Sequence, residues 1–434
     1  MNPRNPELRQ LSRARYSGED VAQIRDLLIK GGTLSFPALP NGLFSAASVN
    51  QHAAHTGYQA VWVRDNVYVA YSLFANGETG KAAATVLALA DHFERQASRF
   101  DAVIADPSRA ADPMNRPHVK FNGDPVGEVD TWPHDQNDAL GYFLWIFSRM
   151  ARLGLVPVSQ SHAAVIAHFP EYFRAIRFWS DEDSGHWEEA RKNSASSIGV
   201  VCAGLRELNA LLDSSRSSRL HTLISRELVE SLLESGLNRL NQILPAECIQ
   251  DPPRARRYDA ALLFLAWPLE IVDRKMTDRI VQDVRFNLQG DYGIRRYLGD
   301  SFWCSNYLTN LTAEDRTRDF SRDLSSRDRF FEPGTEAQWC IFDPIVSVAF
   351  GLRYLSTGDA QWLLLQTEHF NRALNQITGG LRCPELWHWE TGPDGCAVLE
   401  TSEATPLLWT QANLWLALSH MERSARRAER SARG

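Results

Sequence analysis

The chain is 434 residues long and carries a formal net charge of −7, so it lacks the positive field by which proteins attract nucleic acid or anionic membranes. Although 44% of its residues are hydrophobic, no continuous apolar run reaches the length of about eighteen residues that a transmembrane helix needs. We therefore predict a protein without nucleic-acid or membrane partners and with enough apolar residues for a large core.

The chain is predicted to form one domain, because no linker rich in Gly, Ser or Pro divides it. This domain spans 21–421, after an N-terminal extension at 1–20 and before a basic, disordered tail at 422–434. The N-terminal extension lacks the apolar segment of a secretory signal, and the six cysteines are scattered without a CxxC motif. Both features predict a cytoplasmic protein with free thiols.

Apolar residues recur with the helical period along most of the chain. Between 140 and 150 they form one continuous stripe, made of Leu140, Phe143, Leu144, Phe147 and Met150. Further helices are predicted at 21–29, 61–74, 80–97, 160–177, 196–212, 219–242, 259–273, 277–285, 344–356, 361–375 and 405–420. Strand-like alternation is scarce, so the predicted fold class is all-α.

Long irregular segments separate these helices, at 37–60, 100–136, 178–195, 287–340 and 380–404. Irregular connections of this length inside a compact domain are usually functional. About a dozen helices with elaborate loops at alternate connections fit an (α/α)6 barrel, a six-hairpin toroid in which inner and outer helices alternate and the loops gather at one mouth. A helical arrangement in two domains is the alternative.

Charged side chains are embedded in aromatic segments near the ends of the predicted helices. The segments are YQAVWVRDN (58–66), WPHDQND (132–138), HWEE (186–189), RRYDAALL (256–263), GIRRYLGD (293–300), FFEPGTEAQW (330–339), CPELWHWE (383–390) and LLWTQANLW (407–415). Sugars suit this mixture, because their apolar faces stack on aromatic rings while their hydroxyls pair with Arg, Asp and Gln. We predict a site for a small carbohydrate that holds neither metal nor cofactor.

Two acidic segments could supply the pair of carboxyl groups that hydrolysis of a glycosidic bond requires. Glu188 directly follows Trp187, and an apolar neighbour raises a carboxyl pKa by excluding water, as a general acid needs. The same acidic residues also suit the start of a surface helix, where the helix dipole favours them. For the second carboxyl, chemistry alone does not choose between Glu385 and Glu390.

The order of these motifs, from about residue 40 to 420, resembles glycoside hydrolase family 15, the glucoamylase and glucodextranase group, and the related N-terminal region of the phosphorylase kinase α and β subunits. The resemblance implies an (α/α)6 barrel and an inverting exo-hydrolysis that releases β-glucose from a non-reducing end. It implies that Glu188 is the general acid and Glu385 the general base. The positions that it implies for substrate binding are Tyr58, Trp62, Arg64, Asp65, Trp132, Trp187, Glu189, Arg296, Trp339 and Trp409.

Some motifs, such as VRDNVY, QNDA and EAQWCIFDP, are closer to the phosphorylase kinase branch, whose roles are regulatory. That branch follows the acid-loop glutamate with arginine, whereas this chain has Glu189, and both carboxylate positions are filled. We therefore expect a stand-alone hydrolase of short soluble α-glucosides, without a starch-binding module, an N-terminal β-sandwich or a regulatory extension. A sugar-sensing regulatory module, a glucosyl transferase and a trehalase-like enzyme are the alternatives.

Overall fold

The computed structural model describes residues 4–47, 57–123, 132–316 and 318–433. Parts of the predicted loops 37–60 and 100–136 therefore lie outside the described residues. The α-helices are α1 (Pro6–Leu11), α2 (Gly18–Lys30), α3 (Val63–Ala75), α4 (Thr79–Arg95), α5 (Ala97–Ala105), α6 (Asn137–Arg152), α7 (Gln160–Ile176), α8 (Ala195–Leu212), α9 (Arg226–Ile243), α10 (Leu263–Ala266), α11 (Arg274–Asn287), α12 (Tyr307–Asn310), α13 (Ala313–Arg316), α14 (Ser325–Asp328), α15 (Phe342–Thr357), α16 (Ala360–Asn375) and α17 (Leu408–Arg433).

Twelve of the described helices alternate along the chain between an inner and an outer layer. The inner helices contact one another in a closed ring, in the order α3, α6, α8, α10, α15, α17 and back to α3. The outer helices α4, α7, α9, α11 and α16 each pack against the inner helix that precedes them, and α2 packs against α17. The predicted (α/α)6 barrel in a single domain is therefore confirmed, because the ring closes through α3 and α17.

The inner helices are buried on nearly every side, which explains why their sequences are apolar all round. In α6, every residue from Asn137 to Ser148 is buried. Helix α8 packs so closely against α6 that a Cβ atom at Gly141 would lie 2.8 Å from the backbone nitrogen of Val201. Helix α8 is also long and apolar enough to cross a membrane, but 83% of it is buried inside the ring, as expected for a core helix.

The prediction of one long helix at 259–273 is wrong. Only a 3₁₀ turn, Ala260–Leu262, and the short helix α10 form there. Helix α10 ends because Trp267 adopts an extended backbone (φ −159°, ψ 136°), the conformation that the following Pro268 imposes by clashing with a helical one.

The tail predicted to be disordered at 422–434 is instead helical, because α17 continues through it to Arg433. Its small residues Ser424 and Ala425 are buried, Arg25 of α2 pairs with Glu422, and Glu429 accepts a hydrogen bond from the backbone N–H of Gly18 at 2.8 Å. Helix α2 itself begins inside the predicted N-terminal extension, so the two ends of the chain support each other.

Two small antiparallel sheets lie in the segments between the helices. Strands β1 (Val61–Trp62) and β2 (Lys120–Phe121) form one, and β3 (Gln338–Trp339), β4 (Leu386–Thr391) and β5 (Ala397–Thr401) form the other in that order. In the first sheet Trp62 is opposite Lys120, and in the second Trp339 is opposite Leu386. Strand β1 ends directly before the inner helix α3, and strand β3 ends near the start of the inner helix α15. The sheets therefore position residues where those helices begin.

Candidate active site

Most predicted site residues gather where inner helices begin. Arg64 and Asp65 are in the first turn of α3, Glu188 precedes α8, and Trp409 is in the first turn of α17. They line a cavity of about 260 Å³. The predicted residues that line it are Tyr58, Trp62, Arg64, Asp65, Trp132, Trp187, Glu188, Arg296, Trp339, Glu385 and Trp409. Ring closure thus brings together side chains that are hundreds of positions apart in sequence.

Glu188 reaches the cavity from an unusual backbone conformation. It follows the 3₁₀ turn Gly185–Trp187 and is left-handed (φ 56°, ψ 42°), which is unfavourable for a residue with a Cβ atom and is typical of functional sites. Burial raises the pKa of its carboxyl group to about 8, although Arg64 acts in the opposite direction. The side chain is 19% exposed, so solvent moderates this upward shift. At neutral pH the carboxyl group holds a proton.

Arg64 links Glu188 to a buried polar network. Its Nη2 donates to Oε1 of Glu188 at 2.7 Å, and its Nη1 donates to Oδ2 of Asp138 at 2.5 Å. Burial opposes the ionisation of Asp138, but Arg64 and His186 outweigh it and lower the pKa of that carboxyl group. Asp138 is therefore the counter-ion that holds Arg64 in place. Arg64 in turn positions Glu188 as well as lining the cavity.

Glu385 lies directly before β4 and is held by two hydroxyl groups. Tyr58 donates to its Oε1 at 2.5 Å, and Ser402 donates to its Oε2 at 3.0 Å. Burial raises the pKa of Glu385 to about 7, whereas the two hydrogen bonds lower it. The carboxyl group is thus largely ionised just above pH 7, the range in which a general base must work.

Glu390, the alternative to Glu385, has a structural role. Its Oε1 accepts from the backbone N–H of Leu308 at 2.8 Å, and its Oε2 accepts from the hydroxyl of Thr309 at 3.0 Å. Both partners belong to the first turn of α12, and Glu390 does not line the cavity. The structure therefore separates two glutamates that chemistry alone did not.

Tryptophan pairs form the walls of the cavity. Trp62 and Trp132 meet edge to face with ring centroids 5.5 Å apart, and Trp187 and Trp339 are 5.8 Å apart. Trp187 is fixed by a hydrogen bond from its Nε1 to Asp259 at 2.9 Å. Rigid indole faces of this kind offer stacking surfaces to the apolar faces of a sugar ring.

The resemblance implied that Glu189 binds substrate, but Glu189 is not among the described residues that line the cavity. Glu189 is buried behind the wall, where it accepts hydrogen bonds from Arg296 at 2.9 Å, from Tyr297 at 2.6 Å and from Arg327. Burial disfavours its charge, but Arg296 and Arg327 outweigh burial and hold the pKa of Glu189 far below its usual range. With both oxygens occupied, Glu189 positions the arginines that line the cavity. Arg296 is held further by Asp300 at 2.6 Å.

Several lining residues were missed by the sequence analysis. They are Ala46, Gly57, Lys120, His186, Phe302, Arg316, Arg318, Phe320, Arg327 and Leu407. Most lie in loops whose aromatic or charged residues have no distinctive spacing, so only the folded chain reveals them. Within the described residues, no group of three or more His, Cys, Asp and Glu side chains is arranged to hold a metal ion.

Comparison with known proteins places this site in a family. The model of glycosyl hydrolases family 15 matches residues 29–319. The chain is 27% identical over 399 residues to the probable phosphorylase b kinase regulatory subunit alpha of Caenorhabditis elegans, an alignment that covers 81% of this chain and 30% of that subunit. The chain thus spans less than a third of the length of this relative.

Two solved structures share the fold over nearly their whole length. A glycosidase variant in complex with glucose is 18% identical, with a TM-score of 0.66 over 94% of this chain and 98% of that one. The glucoamylase of Saccharomycopsis fibuligera is 12% identical, with a TM-score of 0.59 over 95% of this chain and 97% of that one. Since the family model also covers well over half of the chain, this protein belongs to glycosyl hydrolases family 15.

Proposed function

We propose that this protein is an exo-acting α-glucoside hydrolase that inverts the anomeric carbon and releases β-glucose from the non-reducing end of short α-glucosides. The observation that carries the proposal is the pair Glu188 and Glu385, two carboxyl groups that line one cavity with different partners. Burial gives Glu188 a pKa of about 8 and Glu385 a pKa of about 7. Between these values the first is protonated while the second is ionised, which is the combination that inversion requires.

In the proposed mechanism, both carboxyl groups act in one step. Glu188 gives its proton to the glycosidic oxygen as the bond from that oxygen to the anomeric carbon breaks. Glu385 takes a proton from a water molecule as the water oxygen bonds to the same carbon from the opposite face. The hydroxyl of Tyr58 orients Glu385, and Arg64 orients Glu188. Exchange with solvent then returns each carboxyl group to its starting state.

The shape and lining of the cavity support an exo-acting enzyme with short substrates. Its volume of about 260 Å³ lies near the lower end of the range of about 300–1,000 Å³ that is usual for small-molecule sites. Trp62 and Trp132 offer faces for stacking, and Asp65 offers a carboxylate for hydroxyl groups. One structurally similar glycosidase has been solved with glucose, which supports glucose as the sugar here.

A second candidate function is sugar sensing without turnover. The similarity to a phosphorylase b kinase regulatory subunit favours it. Against it, both catalytic positions hold glutamate and both carboxyl groups have raised pKa values, which a binding module does not need.

A screen for glucose release tests the proposal. The purified protein is incubated with maltose, isomaltose, kojibiose, nigerose and trehalose, and free glucose is measured over time. Hydrolysis of at least one disaccharide, abolished in Glu385→Gln, is the expected result. Binding of these sugars without any glucose release would favour the sensing function.

A further inference from the structure

Positive charge exceeds negative charge around the cavity. Of the described residues that line it, six are basic and three are acidic: Arg64, Lys120, Arg296, Arg316, Arg318 and Arg327 against Asp65, Glu188 and Glu385. Four of the arginines are paired with carboxylates: Arg64 with Asp138, Arg296 with Asp300 and Glu189, Arg327 with Glu189, and Arg316 with Glu403 at 3.2 Å. Within the residues that the structure describes, Lys120 and Arg318 have no ion pair.

Lys120 lines the cavity beside two of its tryptophans. It is opposite Trp62 in the β1–β2 sheet, and its ammonium group is 4.6 Å from the ring centroid of Trp132 and 5.6 Å from that of Trp62. Its charge also acts on Glu188, where it opposes the effect of burial. Because Glu188 would protonate the leaving oxygen, a cation near Glu188 is near the aglycone, the part of the substrate beyond the glucose.

Arg318 extends this positive region to the mouth of the cavity. It is exposed, and its guanidinium group is 5.7 Å from the ring centroid of Phe320. Arg327 approaches the same ring at 4.8 Å, so a carboxylate-bound arginine and an unpaired one flank Phe320. By contrast Arg64, deep in the cavity, is almost wholly buried. An unpaired positive charge, that of Arg318, therefore lies at the exposed mouth, whereas the charge of the buried Arg64 is paired.

We propose that the natural substrate carries an anionic group, a carboxylate or a phosphate, on its aglycone, and that Lys120 binds this group while Arg318 attracts it at the mouth. The inference rests on the proposed hydrolase function and deepens it. A lysine beside two indole rings is oriented before the substrate arrives, and a cavity with one sign of charge concentrates ligands of the other sign. Neutral disaccharides would then be poor stand-ins for the natural substrate.

A matched pair of substrates tests this without knowledge of the natural linkage. Of the disaccharides that have a reducing end, the one that is cleaved fastest is either oxidised or reduced at that end, which yields an aldonate and an alditol that differ only in a carboxylate against a hydroxymethyl group. A third substrate carries a 6-phosphate on the reducing-end glucose. We expect kcat/KM to be at least about tenfold higher for an anionic substrate than for the alditol at low ionic strength. This preference should fall as salt is added.

Two variants assign the preference to the proposed residues. Lys120→Met keeps an apolar side chain beside the indole rings but removes the charge, and should bring the ratio of aldonate to alditol kcat/KM close to one. Arg318→Gln should lower the ratio less, because that residue is exposed. Lys81→Met is the matched control, since Lys81 is 69% exposed on α4 and pairs with Glu78. It should leave the ratio unchanged.

The possible outcomes separate this inference from the proposed function. Equal kcat/KM values for all three substrates would overturn the inference and leave the hydrolase function standing. If no substrate is cleaved, the hydrolase function fails, and calorimetry with the aldonate and the alditol of maltose decides the inference. Tighter binding of the aldonate that is lost in Lys120→Met supports the anion site, whereas equal binding overturns it. The larger of the two anionic responses identifies carboxylate or phosphate as the preferred group.

Discussion

The hydroxyl of Tyr58 donates a hydrogen bond of 2.5 Å to Oε1 of Glu385, across 327 positions of sequence. This bond stabilises the ionised carboxylate and lowers its pKa against the effect of burial. The pKa is about 7 for Glu385 and about 8 for Glu188. The value of kcat/KM should therefore rise with pH near 7 as Glu385 ionises and fall near pH 8 as Glu188 loses its proton. Activity that is constant from pH 5 to 9 would contradict both assignments.

Tyr58→Phe should displace the rising limb of this profile to higher pH. Without the donor, the neutral form of Glu385 is favoured, so a higher pH is needed to ionise it. Loss of a hydrogen bond to a charged group should also reduce kcat/KM by about tenfold or more. Tyr354→Phe on α15 is the control, because it removes a buried tyrosine hydroxyl outside the cavity. A Tyr58→Phe profile with an unmoved limb would show that the bond does not tune the base.

Glu385→Gln should reduce kcat by at least about a hundredfold, because an amide cannot take the proton of the attacking water. Glu390→Gln provides the matched comparison. Glu390 lies five residues away and only supports α12, so this variant should keep nearly all of the activity. Steady-state kinetics on the best disaccharide measures both. If the two variants lost activity equally, Glu385 would not be the base.

The loss of activity in Glu188→Gln should depend on the leaving group. A disaccharide leaves as a poor alkoxide and needs the proton from Glu188, so its hydrolysis should slow by at least about a hundredfold. α-Glucosyl fluoride leaves as fluoride with little need for a general acid, and its hydrolysis should slow much less. Glu385→Gln should impair both substrates, because both need an activated water. An equal loss for the two substrates in Glu188→Gln would exclude the role of general acid.

Burial of Glu385 should make stability depend on pH. Below pH 4.5 the carboxyl group is neutral in both the folded and the unfolded chain, so its burial carries no ionisation cost. Between pH 4.5 and 7 the unfolded chain ionises first, which reduces the free energy of unfolding by up to about 3 kcal/mol. The difference in Tm between Glu385→Gln and the unsubstituted protein should therefore grow over this range and then level off.

An exposed glutamate supplies the control for this measurement. Glu94 lies on the solvent side of α4, so Glu94→Gln should change Tm by the same small amount at every pH. A difference for Glu385→Gln that is equally flat would mean that Glu385 ionises at the same pH in the folded and the unfolded chain.

Much of the fold follows from periodicity, because most helices of the barrel carry clear apolar patterns. The pattern fails where one proline decides the outcome, as Pro268 does after α10. It fails again in the C-terminal segment, where Ser424 and Ala425 look like tail residues but are buried in the folded chain. The first error overlooks a local effect of proline, whereas the second concerns contacts that a single stretch of sequence does not contain.

The sequence motifs predicted which residues line the candidate site better than they predicted what each residue contacts. The "HWEE" segment places Glu188 and Glu189 side by side, yet the left-handed backbone at Glu188 turns the two carboxyl groups to different partners, one to Arg64 and the other to Arg296 and Arg327. No spacing rule connects Lys120 or Arg327 to the cavity. Their positions depend on how distant loops meet above the ring.

The anomeric form of the first glucose released is the most direct test of inversion by Glu188 and Glu385. The proposed pair of Glu188 as acid and Glu385 as base delivers water to the face opposite the leaving group, so an α-linked substrate must yield β-glucose. Proton NMR of the anomeric signals within the first minutes, before mutarotation, distinguishes the two forms. We expect β-glucose first, with α-glucose appearing later at the rate of mutarotation. Initial release of α-glucose would contradict inversion.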